Sequence, residues 1–317
     1  MTESSTLAAE PRLPSLPLVR EHVARQFGRR GDLADAQFFY AEIANRMRER
    51  LEYIRLAPSA VLDAGCGTAP ALAPLLARYP QARYVGLDQC APLLALAARR
   101  HAPAPADRLR RAARRLSGRA MPPAPAFVLA DLAATGLPPE SIDLVWSNLA
   151  LHWHPQPHAV LAEWRRVLRV GGLAMFSCLG PGTFRELREA VGAAGLRTAT
   201  PPFVDMHDFG DLLVENGFAD PVMDQETITL TYREPARLLH DVRSLGGNPA
   251  AGRRRGLAGR AWRDRLQAAL NDMRDAEGLI RLTMEVAYGH AWRAASHRAG
   301  PGETRLSASA IGRARPR

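Results

Sequence analysis

The 317 residues contain no lysine; all 42 basic side chains are arginine. A phosphate-gripping P-loop lysine, a Schiff-base lysine and a lysine general base are therefore excluded. Cysteine is nearly as scarce. Cys66, Cys90 and Cys178 are scattered and form no CxxC pair, which argues against a cysteine-held zinc site and for a reducing compartment. No run approaches the roughly 20 apolar residues of a membrane-spanning helix. The opening MTESSTLAAEPRLPSLPLVR has no basic region ahead of an apolar one, as a secretory signal would. The expected compartment is the cytoplasm.

What is present is ordinary in bulk, with 47% apolar and 23% charged residues, enough for a full core. The net charge of +10 attracts polyanions, whether nucleic acid, acidic membrane or an acidic protein.

Residues 1–18, rich in Pro and Ser, read as a disordered leader. Over residues 19–56, Val23, Phe27, Phe38, Phe39, Ile43, Met47, Leu51 and Ile54 recur at helical spacing, which predicts two helices broken near Gly31. Strand and helix signals then alternate. Strands are expected at Ala60-Val61-Leu62-Asp63-Ala64, at Tyr84 to Asp88, at Phe127-Val128-Leu129, at Ile142 to Trp146 and from Leu173 to Cys178. Helices fall between them, one of which should run over 158–168 and stop at Gly171-Gly172. A basic, Pro/Ala-rich insertion occupies 101–126.

This alternation predicts an α/β fold, a mostly parallel seven-stranded Rossmann-like sheet with helices on both faces. The sheet domain is expected over 57–235, where Ile228 to Tyr232 alternate as a half-buried strand should. Residues 236–295, including the segment from Leu279 to Trp292, read as a mostly helical C-terminal lid. Residues 296–317, without aromatics, read as a disordered tail.

The central chemical signal is Asp63-Ala64-Gly65-Cys66-Gly67 at a strand-to-helix turn, where glycines let a ligand approach the backbone. A dinucleotide needs a third glycine where Pro70 stands, and Asp63 beside the turn would repel its phosphates. A ligand with an ammonium and no phosphate finds the same carboxylate attractive, and S-adenosylmethionine is such a ligand. Asp88, ending the second strand, suits its ribose hydroxyls, and Asp131 the adenine amino group.

The fourth strand runs into SNLALHW, and here the chain resembles class I S-adenosylmethionine-dependent methyltransferases over about 50–235. The segments SNLALHW, EWRRVLRVGG, GTFREL, FVDMHDFGDLLVENGFADPVMD and YGHAW resemble one group within them, the malonyl-acyl-carrier-protein O-methyltransferases of biotin synthesis, over about 19–293. The resemblance implies cofactor contacts from Asp63, Gly65, Gly67, Asp88, Asp131 and Asn148. It implies an acidic partner, malonyl-acyl-carrier protein; apart from the resemblance, no specific nucleic-acid or membrane partner and no metal are expected, and a monomer is the working expectation. Two departures stand out. Ala69 occupies a position where the superfamily often has glycine, and Ala34 stands near the place of a usual tyrosine after Phe27.

Esterifying a carboxylate needs no general base, because the carboxylate is already the nucleophile. It needs a cation to hold it, and without lysine that falls to arginine. Arg243, before Gly246-Gly247, is the first candidate and Arg185 the second. Arg253, Arg254, Arg255 and Arg260 form a run suited to docking an acidic carrier. His152, His154 and His158 have no carboxylate neighbour in the sequence, so His152 reads as a pocket or capping residue rather than a metal ligand.

Two other readings of the same motifs remain. One is a complex I assembly factor that binds S-adenosylmethionine for arginine hydroxylation; the other is a nucleic-acid methyltransferase, which SNLALHW disfavours for want of a proline between the Asn and the aromatic.

Overall fold

A computed structural model describes residues 15–102, 124–254, 256 and 259–295. Most of the basic insertion, the tail beyond 295 and the first fourteen residues lie outside the described residues. Seven strands form one sheet. They are β1 (Ala60–Ala64), β2 (Arg83–Asp88), β3 (Ala126–Leu129), β4 (Ile142–Asn148), β5 (Leu168–Leu179), β6 (Phe218–Tyr232) and β7 (Ile280–Arg293). The spatial order is β3-β2-β1-β4-β5-β7-β6, with β1 to β5 parallel and β7 antiparallel to both of its neighbours. Strand order reverses between β1 and β4. In an open α/β sheet the carboxyl ends of the strands at such a reversal flank a crevice.

The sheet is covered on both faces, and the sequence of the inner strands reflects it. All five residues of β1 are buried, as an unbroken apolar run requires. One face is covered by α3 (Leu72–Arg78), α4 (Ala91–Arg100) and the N-terminal helix α2 (Gln37–Glu52). Helix α2 buries Phe39, Ile43, Met47 and Leu51, spaced by four, in one cluster with Leu144, Trp146 and Met175 of the central strands. On its outer side Arg46 pairs with Glu226, and Arg50 reaches Asp224 at 2.5 Å while lying 3.9 Å over the Tyr288 ring. The opposite face carries α5 (Pro157–Val167) and α7 (Met206–Glu215) over Phe176, while α6 (Arg185–Ala193) packs on the first cluster.

Three local expectations need correction. The segment from Leu279 to Trp292 is β7, not helix; it is buried along most of its length between β5 and β6, so it lacks the alternation that marks a half-exposed strand. Gly171-Gly172 do not stop a helix. Helix α5 ends at Val167, β5 starts at once, and Gly171 (φ +78°) lies in β5 next to the register shift opposite Ile142 and Leu144. The end of the leader is docked. Leu16 N donates to Pro155 O at 2.7 Å, Leu18 bridges to Ala250, and Ala251 N donates to Pro17 O.

Strand β6 also starts ten residues before the alternating stretch legible in the sequence. Its burial does alternate, as an edge strand's should, and Pro221 is tolerated where the register shifts between Ala219 and Val222.

Gly289 in β7 offers a test of this packing. A Cβ there would lie 2.4 Å from Phe176 Cζ and 2.8 Å from Met223 Sδ. Gly289→Ala should therefore cost about 1–3 kcal/mol through overpacking. Urea unfolding at pH 7 would read it as a lower midpoint with an unchanged slope, and an unchanged midpoint would place β7 elsewhere.

Candidate functional site

The turn after β1 is built by backbone chemistry. Gly65 N and Cys66 N both donate to Leu87 O, at 2.8 and 2.9 Å, which ties the turn to β2. Gly65 (φ +82°) and Gly67 (φ +55°) adopt left-handed conformations that L side chains resist. Gly65 is also sterically required, since a Cβ on it would lie 2.2 Å from Ala150 Cβ in the loop after β4. Ala69 is left-handed as well (φ +58°) and fully buried, so the superfamily's glycine is replaced here by a strained alanine.

At the carboxyl ends of β1 and β2 two carboxylates face one cavity. Asp63 is buried and accepts a hydrogen bond from Tyr84 Oη at 2.5 Å. Burial pushes its carboxyl up to about 7, against the Tyr84 hydrogen bond and helped by the neighbouring Asp88 charge. Asp88 is raised too, mainly by burial, although Cys90 N and Gly67 N each donate to it at 2.8 Å. Neither forms an ion pair among the described residues. Such a wall attracts a cation and hydroxyl donors and repels phosphate.

The cavity encloses about 1300 Å³ of empty space, its open mouth included. Its far side is α2, which turns Gln37, Tyr40, Ala44 and Arg48 towards it at spacings of three and four. Tyr40 Oη donates to Leu245 O at 3.0 Å, beyond the end of α8 (Pro235–Ser244), and burial raises its phenol far above the usual range. Phe27 of α1 (Arg20–Gly28) and Trp153 meet edge to face at 5.8 Å and form the apolar wall between these elements.

Asp63, Gly65, Gly67, Asp88 and Asn148 all line this cavity. Asn148 makes two side-chain hydrogen bonds there: Nδ2 donates to Tyr40 O at 2.9 Å and Oδ1 accepts from Ser177 Oγ at 3.0 Å. It pins α2 to the sheet. Asp131 is not among the residues that line the cavity, whereas its neighbour Leu132 is. The carboxylate is taken by Ala133 N at 2.7 Å, by His154 Nε2 at 3.0 Å and by Arg20. His154 thus has the carboxylate companion that the sequence around it lacks. His152 accepts from Leu179 N at Nδ1, and burial pushes its pKa down to about 3.

The two arginines expected at the acceptor are not brought to the cavity. Arg243 is exposed on the last turn of α8, and Arg185 is exposed and paired with Glu186 at 2.9 Å. The cavity instead has Arg48, exposed at its edge. Tyr40 and Arg48 were missed although a signal existed, since they share a helical stripe with Gln37 and Ala44.

Comparison with known proteins agrees with this geometry. A family model described as a methyltransferase domain matches residues 62–176. The chain is 48% identical over 256 residues to the malonyl-acyl-carrier-protein O-methyltransferase of Laribacter hongkongensis, covering 80% of this chain and 82% of that one. It is 41% identical over 278 residues to the protein of that name from Methylovorus sp., covering 86% and 89%. Among solved structures, the YcgJ protein of Bacillus subtilis superposes with a TM-score of 0.51 at 13% identity, over 80% of this chain and 99% of that one. That likeness speaks for the fold.

Asp63 predicts a pH signature. Its folded pKa of about 7 lies above the unfolded value near 4, so its contribution to stability is full below pH 4 and lost as pH rises to about 7. A shift of this size is worth at most about 4 kcal/mol. Urea titrations of the protein and of Asp63→Asn from pH 4 to 8 should show the native protein losing ground to the variant over that window. A constant difference between the two would refute the raised pKa.

Proposed function

Because this chain belongs to the malonyl-acyl-carrier-protein O-methyltransferase family, we propose that it esterifies the free carboxylate of a malonyl group carried by acyl-carrier protein, in biotin synthesis. The observation that carries the reading is the pair of carboxylates that line the cavity, buried Asp63 and half-buried Asp88, at the turn of a lysine-free site. They fit S-adenosylmethionine, which brings an ammonium and a ribose diol and no phosphate. A nicotinamide dinucleotide would set a pyrophosphate against the same charges.

S-adenosylmethionine supplies a methyl carbon made electrophilic by its sulfonium. The residues of the chain bind and orient. Asp88, already ordered by Gly67 N and Cys90 N, keeps lone pairs for the ribose hydroxyls. Asp63, ordered by Tyr84, faces the ammonium. Gly65 and Gly67 let the cofactor lie against bare backbone, and Leu132, beside Asp131, supplies apolar surface for adenine. Asn148 acts through α2, whose Tyr40 it holds.

No group is needed to remove a proton, because a malonyl carboxylate is ionised at neutral pH. The contribution of the protein is alignment and exclusion of water by Phe27, Trp153 and the α2 stripe. Esterification removes the negative charge, so the malonyl group leaves looking like an ordinary acyl primer.

The carrier is acidic, and the basic run beside α1 suits it. Arg254 and Arg260 are exposed, while Arg255 lies outside the described residues. This run belongs to the segment that Ala251 anchors to Pro17. We place the enzyme in the cytoplasm, where its free cysteines suit a reducing environment. The assembly-factor reading is not favoured, since the relatives above carry the methyltransferase name.

Intact mass spectrometry of malonyl-acyl-carrier protein, incubated with the enzyme and S-adenosylmethionine, should show the gain of one methyl group. Acetyl-acyl-carrier protein should show none. A malonyl carrier left unmodified by enzyme that binds the cofactor would sink the proposal. For the cofactor itself, Asp88→Ala should weaken S-adenosylhomocysteine binding in calorimetry by at least about 100-fold, the cost of several lost charge-assisted bonds. The far-ultraviolet dichroism should stay native, and native affinity would remove Asp88 from the site.

A further inference from the structure

One guanidinium beside the cavity wall has no counter-charge among the described residues. Arg30, two residues beyond α1, lies with its Cζ 5.2 Å from the centroid of the Phe27 ring. Its Nη2 donates to the neutral amide of Gln26 at 3.1 Å, and its Nη1 is buried with no hydrogen-bond partner. No described carboxylate pairs with it. Burial holds its pKa below the ordinary arginine value, and Tyr40 is the titratable neighbour acting on it. Arg46 and Arg166 are raised instead, each chiefly by a hydrogen-bonded glutamate.

Arg30 is not itself a lining residue of the cavity, but its neighbours are. Phe27 and Tyr40 both line it. The turn beyond α8 closes over the same place: a Cβ on Gly247 would lie 2.8 Å from Arg30 Nη2, and one on Gly246 would lie 2.1 Å from Trp153 Cζ2. Trp153 in turn lines the cavity. Removing a cation from water without an anion is unfavourable, and the unmet donor makes it more so.

We propose that Arg30 is the specificity-determining cation, receiving the free carboxylate of the malonyl group from the side of Phe27 and Tyr40. This rests on the methyltransferase reading above and deepens it. Exchange of the Gln26 amide for a carboxylate is favourable, because a charge-assisted hydrogen bond is about twice as strong as a neutral one. One carboxylate oxygen held at the guanidinium leaves the other free to be methylated.

The arrangement also sorts ligands by charge. An acetyl thioester leaves the buried donor unmet and is rejected for that reason. The methyl ester product is neutral, so it loses the ion pair and departs. Arg243 and Arg185 remain outside this role, since both are exposed and neither carries an unmet buried donor.

Arg30→Met keeps an apolar stem on Phe27 and removes the charge, and Arg30→Lys restores a cation without the fork. Calorimetry with malonyl- and acetyl-acyl-carrier protein, in the presence of S-adenosylhomocysteine, is read beside steady-state methyl transfer and thermal unfolding. The native enzyme should prefer the malonyl carrier. Arg30→Met should lose that preference and raise KM for the malonyl carrier roughly 10- to 100-fold, with Arg30→Lys in between. Its Tm and S-adenosylhomocysteine affinity should hold or rise, because an uncompensated charge has been removed.

A variant that still prefers the malonyl carrier overturns the assignment. So does one whose Tm and S-adenosylhomocysteine affinity fall together, as a purely structural arginine would dictate. A native enzyme with neither malonyl preference nor methyl transfer overturns the methyltransferase reading itself, an outcome visible without any variant.

Discussion

Two carboxylates on adjacent strands, Asp63 buried and Asp88 half-buried, share one cavity wall beside the reversal point of the sheet, and the remaining features of the site answer to them. Asp63 and Asp88 stand at the ends of adjacent parallel strands, where the turn from Gly65 to Gly67 has already used its amides on Leu87 O and Asp88. Burial raises both pKa values, so the cleft favours a cationic ligand. Tyr84 lessens that strain at Asp63 without supplying a counter-charge. A site of this kind recognises by complementing a deficit, which separates it from phosphate cradles built on similar turns.

The cavity is closed by segments far apart in sequence. Asn148 at the end of β4 holds the Tyr40 carbonyl, and the Tyr40 hydroxyl holds Leu245 at the end of α8. Leu18 and Ala250 complete a second tie between the leader and the same region. The residues before the first strand and those following α8 therefore act as one cover over the central strands. Its inner surface is aromatic where Phe27 meets Trp153, and Arg30 lies against the Phe27 ring.

Arginine performs several distinct tasks in a chain without lysine. Arg46 and Arg50 lash α2 to the edge strand through Asp224 and Glu226. Arg20 holds Asp131, Arg166 holds Glu163, and Arg293 holds Glu140. Arg30 belongs to none of these pairs, and its Nη1 is a buried donor without a partner among the described residues. Surface pairs of this sort contribute little individually, whereas a buried donor left unmet strongly favours a ligand that meets it.

The order of strands and helices, the glycine turn and its two flanking carboxylates are local patterns, and the sequence by itself determined them. Alternating periods announce a parallel sheet, and a carboxylate at a strand end beside glycines announces a phosphate-free ligand. Other features belong to the tertiary structure alone. Residues 280–293 look like a helix or a strand equally well, because a strand buried between β5 and β6 has no exposed face to break its apolar run. The partners of Asp131, Arg20 and His154, are distant in sequence, and only the fold brings them against it. Arg243 and Arg30 are both arginines beside glycines. Which of them faces water and which loses it was decided by the packing of α1 against the turn that follows α8, since burial, the quantity that gives a charge its chemical use, is a property of neighbours and not of the residue.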